Sequence, residues 1–188
     1  MHIIWRDNFS LDGDKLDKAI EDTLSIPECE VSGRYYSTYF IDDVNNQPEI
    51  VFEEEYTEVI HGFMKKMNLF KRVSFCFTHW MQLYSNIQSG HPIHDHFEWN
   101  SFFSWVHFVR PTEKSCFYFL DHDNKKVYPQ QNPGDFIVFP PWALHGIDPC
   151  EEDGLRVTIA GNIGVSEYCK LTGDLKLERI MRPDRFDK

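Results

Sequence analysis

The chain of 188 residues has the length of one domain, enough to bury an apolar core without disulfide or metal staples. Hydrophobic residues at 41% and charged residues at 26% exclude a disordered or fibrous protein. A formal charge of −11 is the wrong sign for a protein that coats nucleic acid, and 16 Phe, 8 Tyr and 5 Trp favour strands around a large interior over a helical bundle.

No stretch approaches the roughly 20 apolar residues needed to cross a bilayer. The opening Met1-His2-Ile3-Ile4-Trp5-Arg6-Asp7 is too short and too soon charged for a secretory signal. Five cysteines (Cys29, Cys76, Cys116, Cys150, Cys169) are odd in number and widely spread, which argues against a disulfide scaffold and a zinc ribbon. The expectation is a reduced, cytoplasmic protein with mostly buried thiols, no membrane partner and no nucleic acid.

In chain order, residues 1–72 read as a helical flank with net charge −7. Leu16, Ala19, Ile20, Thr23 and Leu24 recur at helical spacing, Asp12 or Asp14 offers an N-cap, and Pro27 ends the pattern. A second helix is predicted from about Glu49 to Leu69, with Phe52, Tyr56, Val59, Ile60, Phe63, Met64 and Met67 on one stripe. Its acidic residues come early and Lys65 and Lys66 late, as the helix dipole favours.

From Val73 the period becomes two. Predicted strands are Val73–His79, Met81–Tyr84, Phe102–Val109, Cys116–Leu120, Lys125–Tyr128, Asp135–Phe139 and Leu155–Ile163, separated by turn residues. Short strands at this spacing predict a jelly roll over residues 73–169, with the N-terminal helices on one sheet and a basic tail at 170–188. The fold class is thus mainly β with flanking α, in a single domain spanning 1–188.

The chemistry concentrates in two segments. Gly90-His91-Pro92-Ile93-His94-Asp95-His96-Phe97-Glu98-Trp99-Asn100 holds three histidines, and in extended chain residues i and i+2 share a face. His96 with Glu98, or His94 with His96, would therefore converge on one ion. His145 follows the strand Asp135–Phe139 and the breaker Pro140-Pro141, where a jelly roll opens its mouth. Two histidines and a carboxylate leave three coordination positions open, the arrangement of non-haem Fe(II) oxygenases. Downstream, Arg156 and Thr158 alternate onto one face of a central strand. A buried arginine needs an anion: a carboxylate of the protein, or one brought by a ligand.

His96-Phe97-Glu98, His145 and Arg156-Val157-Thr158 together resemble the H-x-D/E … H … R-x-S/T pattern of the Fe(II)/2-oxoglutarate-dependent oxygenases. Within that superfamily the chain is most similar to the small prolyl-4-hydroxylase-like branch of bacteria and phages. Gly90 stands six residues before His96, and Gly134 to His145 matches that branch's Gly-Asp strand ending in Pro-x-Trp-x-x-His. The resemblance spans about residues 80–163. Glu98 stands where many members have Asp and some close relatives a second His.

The resemblance implies a double-stranded β-helix of cupin-like type, with Fe(II), 2-oxoglutarate and O2 as cofactor and cosubstrates. It implies His96, Glu98 and His145 as metal ligands, with His94 as the alternative to Glu98. Arg156 and Thr158 would bind the far carboxylate of 2-oxoglutarate, with Tyr84 or Tyr118 beside them, and Asn100 and Trp99 would line the pocket. Trp142 is expected as core packing ahead of a substrate platform, His79 and His107 as ordinary histidines of the strands, and His122 as a solvated turn; His91 is near enough for an outer role. The implied activity is hydroxylation of an aliphatic C–H bond of a prolyl, peptidyl, amino-acid or other small substrate. Two further readings share the fold: a cupin-like metalloprotein of other chemistry, and a jelly-roll binding module.

Overall fold

A computed structural model describes residues 2–33, 35–68, 73–84, 90–97, 101–149, 154–168 and 177–179. β1 (Trp5–Asn8) precedes α1 (Gly13–Ser25), whose Asp12 cap accepts a hydrogen bond from the Lys15 amide at 3.0 Å. Leu16, Ala19, Ile20 and Thr23 face inward, whereas Leu24, expected on the same stripe, is exposed. The chain is extended again at Ile26, ahead of Pro27.

β2 (Glu30–Val31) and β3 (Tyr35–Ser37) follow, so the flank supplies strands as well as helices. The second helix is shorter than its stripe predicts. Pro48–Phe52 form a 3-10 turn, α2 runs over Glu53–Lys66, and Asn68 leaves it at a left-handed φ of 50°. Phe52, Tyr56, Ile60, Phe63 and Met64 are buried; Met67, at the frayed end, is not.

β4 (Val73–Tyr84) is one continuous strand where two were expected. The gap expected at Trp80 is closed, and polar His79 beside it occupies a core position. Its ring is buried, stacked on Phe77, with Nε2 donating to the Glu49 carbonyl at 3.3 Å. Then come β5 (His91–His94), β6 (Ser101–Arg110), β7 (Phe117–Leu120), β8 (Lys126–Val127), β9 (Asp135–Phe139), β10 (His145–Ile147), β11 (Arg156–Tyr168) and β12 (Leu177–Arg179). The large sheet runs β1-β9-β6-β11-β4-β3-β2, with β12 parallel to β4; the small one runs β5-β10-β7-β8. From β4 to β11 the chain passes back and forth between the two sheets, which is the topology of a jelly roll.

Strand parity divides the interior into two cores. Phe75, Phe77, Met81, Leu83, Phe103, Trp105, Phe136, Val157 and Ile159 face the helices and pack on α1 and α2. The opposite parity, with Tyr84, Val106, Phe108, Ile137 and Phe139, faces the small sheet and meets Phe117 and Phe119. Each fully buried Phe or Ile contributes roughly 1.5–3 kcal/mol, so the apolar face of α2, rather than its exposed charges, fastens it. No helix of the described residues is long and apolar enough to cross a membrane. Cys29, Cys76 and Cys116 are buried thiols, as expected.

Gly161 pairs with both His79 and Trp105, and a Cβ there would overlap the Thr78 carbonyl and the Trp105 indole. Gly161→Ala is expected to cost about 2–4 kcal/mol, read as a lower urea midpoint at unchanged slope. His107 is fully buried between Tyr56, whose hydroxyl donates to Nδ1 at 2.9 Å, and the Phe9 carbonyl, which accepts from Nε2 at 3.1 Å. Burial lowers its pKa to about 4, against carbonyl hydrogen bonds that act to raise it. The unfolded chain takes up that proton near pH 6.5, so the contribution of neutral His107 is complete above 6.5 and lost as pH falls towards 4. The stability gap between wild type and His107→Gln should therefore shrink by about 2–3 kcal/mol from pH 7 to pH 4, and equal gaps at both would refute this assignment.

Candidate metal centre

The small sheet places the histidines. β5 and β10 pair His94 directly with His145, so both side chains enter the barrel. His96 lies two residues past His94 on the same face, and its amide donates to the Pro141 carbonyl at 2.8 Å. The double proline thus anchors one ligand segment while its turn, closed by Ala143 N to Pro140 O at 3.0 Å, delivers the other. His94, His96 and His145 bring one ring nitrogen each to within 4.8 Å of one another. Their ring centroids are 4.3 to 5.2 Å apart.

Carbonyls fix the tautomers, because a carbonyl only accepts. His145 Nδ1 donates to Ala143 O at 2.8 Å and His94 Nδ1 to Pro92 O at 3.0 Å, leaving each Nε2 as a lone pair. Burial holds all of these rings neutral. It lowers His96 to about 3, with repulsion from His94 and His91 adding to it, and holds His145 well below the usual histidine range. His94 is lowered for the same first reason, and His91 falls to about 4. A metal ligand must be deprotonated, so a trio of neutral imidazoles, with His145 buried and His94 and His96 half-buried, suits a cation.

A cavity of about 30 Å³ lies inside the trio, walled by Trp80, Phe117 and Phe139. At its inner end β11 and β4 set Thr158 opposite Gln82 and Arg156 opposite Tyr84. The Thr158 hydroxyl is buried without a hydrogen-bond partner among the described residues. Tyr84 donates its own hydroxyl to Gln82 Oε1 at 3.2 Å, which orients the Gln82 amide. The Arg156 guanidinium is buried, 4.3 Å above the Tyr84 ring. An orphaned hydroxyl beside an amide and a guanidinium is a donor set for a carboxylate, so the residues present fit a chelating dicarboxylate as well as a divalent ion.

Among the sequence-predicted site residues, His94, His96, His145, Thr158 and Tyr84 come together on the barrel's inner face, with Arg156 over Tyr84. Glu98, Trp99 and Asn100 lie outside the described residues. Tyr118 is a correction. It has the parity opposite to Phe117 and Phe119, and packs outside the barrel against Gly146 and under Lys126. Trp142 is another. It is 55% exposed in the turn after the prolines, edge-on to His2, and not core packing. His122 sits in an exposed turn, as expected. Gln82 was missed; its signal was its place two residues before Tyr84 on one face of β4.

No family model matches the sequence, and no curated protein matches it. Solved structures do. An oxidoreductase of the 2OG-Fe(II) oxygenase family from Burkholderia pseudomallei superposes with TM-score 0.63 at 12% identity, covering 87% of this chain and 84% of that one. A Pseudomonas putida prolyl-4-hydroxylase gives 0.59 at 12%, covering 86% and 92%. SnoN, a non-haem alpha-ketoglutarate-dependent epimerase of nogalamycin biosynthesis, gives 0.58 at 11%, covering 89% and 80%. At these identities the likeness is one of fold. The chain has the double-stranded β-helix of the 2OG-Fe(II) oxygenases.

Proposed function

We propose that this protein is an Fe(II)- and 2-oxoglutarate-dependent dioxygenase that hydroxylates an aliphatic C–H bond, releasing succinate and CO2. The observation that carries the reading is the presence of two donor sets in one barrel: three neutral imidazoles at the mouth, and the Thr158 hydroxyl with Gln82 and Arg156 further in. His94, His96 and His145 would hold the iron, with Glu98 as the competing third ligand. Thr158, Gln82 and Arg156 would take the far carboxylate of 2-oxoglutarate. Iron with 2-oxoglutarate and O2 supplies the oxidising power for an unactivated C–H bond.

The chain's own residues do the rest. The carbonyls of Ala143 and Pro92 keep two imidazoles in the ligating tautomer, while Trp80, Phe117 and Phe139 narrow the space between the donor sets to about one water. The substrate is a peptide, prolyl or otherwise, an amino acid or another small molecule. The protein is taken as a single domain over 1–188 acting in the cytoplasm, in keeping with its buried thiols. The small cavity favours a second reading, a cupin-like metalloenzyme without a chelating cosubstrate. About 30 Å³ holds one water, so 2-oxoglutarate enters only if the walls part.

Anaerobic Fe(II) with 2-oxoglutarate distinguishes the two. The first reading expects a weak visible metal-to-ligand charge-transfer band, absent in His145→Ala; a wild type that binds iron but shows no band favours the second. Arg156→Ala should weaken 2-oxoglutarate roughly 10–100-fold while iron stays bound. For the third ligand, His94→Ala is expected to lose iron at equilibrium dialysis and Glu98→Ala to retain it. The reverse result would restore the carboxylate triad.

A further inference from the structure

β5 does not pair evenly with β10. His94 faces His145 and His91 faces Ile147, so three steps on one strand match two on the other. Residues three apart on a regular strand point to opposite faces; the bulge at Pro92-Ile93 returns His91 to the inner face beside His94. The bulge is closely packed, since a Cβ on Gly90 would stand 2.8 Å from the Ile147 carbonyl oxygen.

The consequence is a fourth imidazole at the cavity wall. The His91 ring lies 4.4 Å from His94, about the separation of His94 from His145, 4.3 Å. The Pro92 carbonyl accepts from His91 Nδ1 at 3.1 Å as well as from His94 Nδ1, and its two lone pairs suffice for both. His91 therefore also carries its lone pair on Nε2. It is not among the trio whose ligand atoms cluster, so its ring must turn to add that nitrogen.

We propose that His91 is a fourth metal-directed ligand, completing a four-nitrogen shell around a divalent ion until a chelating dianion displaces it. The inference rests on the triad reading above and adds a resting state to it. Four neutral nitrogens suit a tetrahedral ion and leave both its charges uncompensated. A dicarboxylate brings two donors and the missing negative charge, so it exchanges favourably for one imidazole. Without cosubstrate, His91 would thus occupy a position that the chelating donors of the dicarboxylate later take.

The test is Co(II) loading of the full chain without oxygen, for wild type, His91→Ala and His91→Gln, each checked for an unchanged apo melting temperature. Wild type should show the intense visible bands of four-coordinate Co(II). Both variants should show only weak bands and bind Co(II) at least about tenfold more weakly. Added 2-oxoglutarate should collapse the wild-type bands while dialysis shows the metal still bound. Spectra that do not depend on His91 would overturn this inference and leave the triad standing. A wild type that binds no Co(II) would overturn both.

Discussion

The pairing of β4 with β11 is the constraint on which the other features depend. It runs from Tyr84 opposite Arg156 to Val73 opposite Tyr168, with one irregularity near its far end. Both strands are buried on both faces, so a slip by one residue would exchange the two faces along most of the ladder. Arg156 and Thr158 would then point into the helix layer among Phe77, Met81 and Leu83, and Val157 and Ile159 into the barrel. A cation stranded in that layer costs several kcal/mol, far more than a surface misfit. The register that satisfies the core is also the register that brings Arg156 and Thr158 to the barrel's inner face. Gly161 tightens it, because only one residue of β11 can lie under the Trp105 indole.

The small sheet is held differently. Its strands are short, and pairing alone fixes little. What places the imidazoles is backbone geometry at prolines: Pro92 gives a carbonyl to two rings, Pro141 anchors the His96 amide, and Pro140 closes the turn that presents His145. Proline fixes its own φ at little entropic cost, so the ligand-bearing turns are ordered before any ligand arrives. Keeping four rings neutral and close is tolerable in the folded state because burial already disfavours their protonation.

The large strands were legible because their alternation and turn residues are strong local signals: Asp135–Phe139 appears with the same bounds, and α1 with its Asp12 cap. What local pattern could not give was any element justified only by a distant partner. β1 is four residues with three exposed, and exists because β9 offers an edge. Polar His79 fits the core face of β4 because the Glu49 carbonyl accepts from its ring. In the site, spacing put His94 and His96 on one face and His145 just past the exit of the Asp135–Phe139 strand. The competing Glu98 was weighed by resemblance, since period two serves His94 and Glu98 equally well around His96. His91 could be suspected but not aimed, because its direction depends on a bulge that pairing with β10 creates. Tyr118 was misjudged because residue type was weighed and parity was not, and Trp142 because it stands in an exposed turn rather than in a strand.

Parity also explains how the N-terminal flank reaches the chemistry. The Arg156 guanidinium lies on one face of Tyr84, and Tyr35 of β3 stacks with Tyr84 at 5.4 Å. A ring face stabilises a buried guanidinium by about 1–2 kcal/mol and takes none of its N–H donors, which lie in its plane. A carboxylate in the same place would cancel the charge that draws an anion inward. Tyr35 also touches His91, with ring centroids 5.6 Å apart, so one aromatic residue from outside the jelly roll braces both Tyr84 under Arg156 and the histidine cluster. Displacing β3 would therefore disturb the two donor sets together, although neither contains a residue of the flank. The flank thus belongs to the arrangement of the two donor sets as much as to the core, while the acidic residues of α1 and α2 stay off the buried faces of their helices.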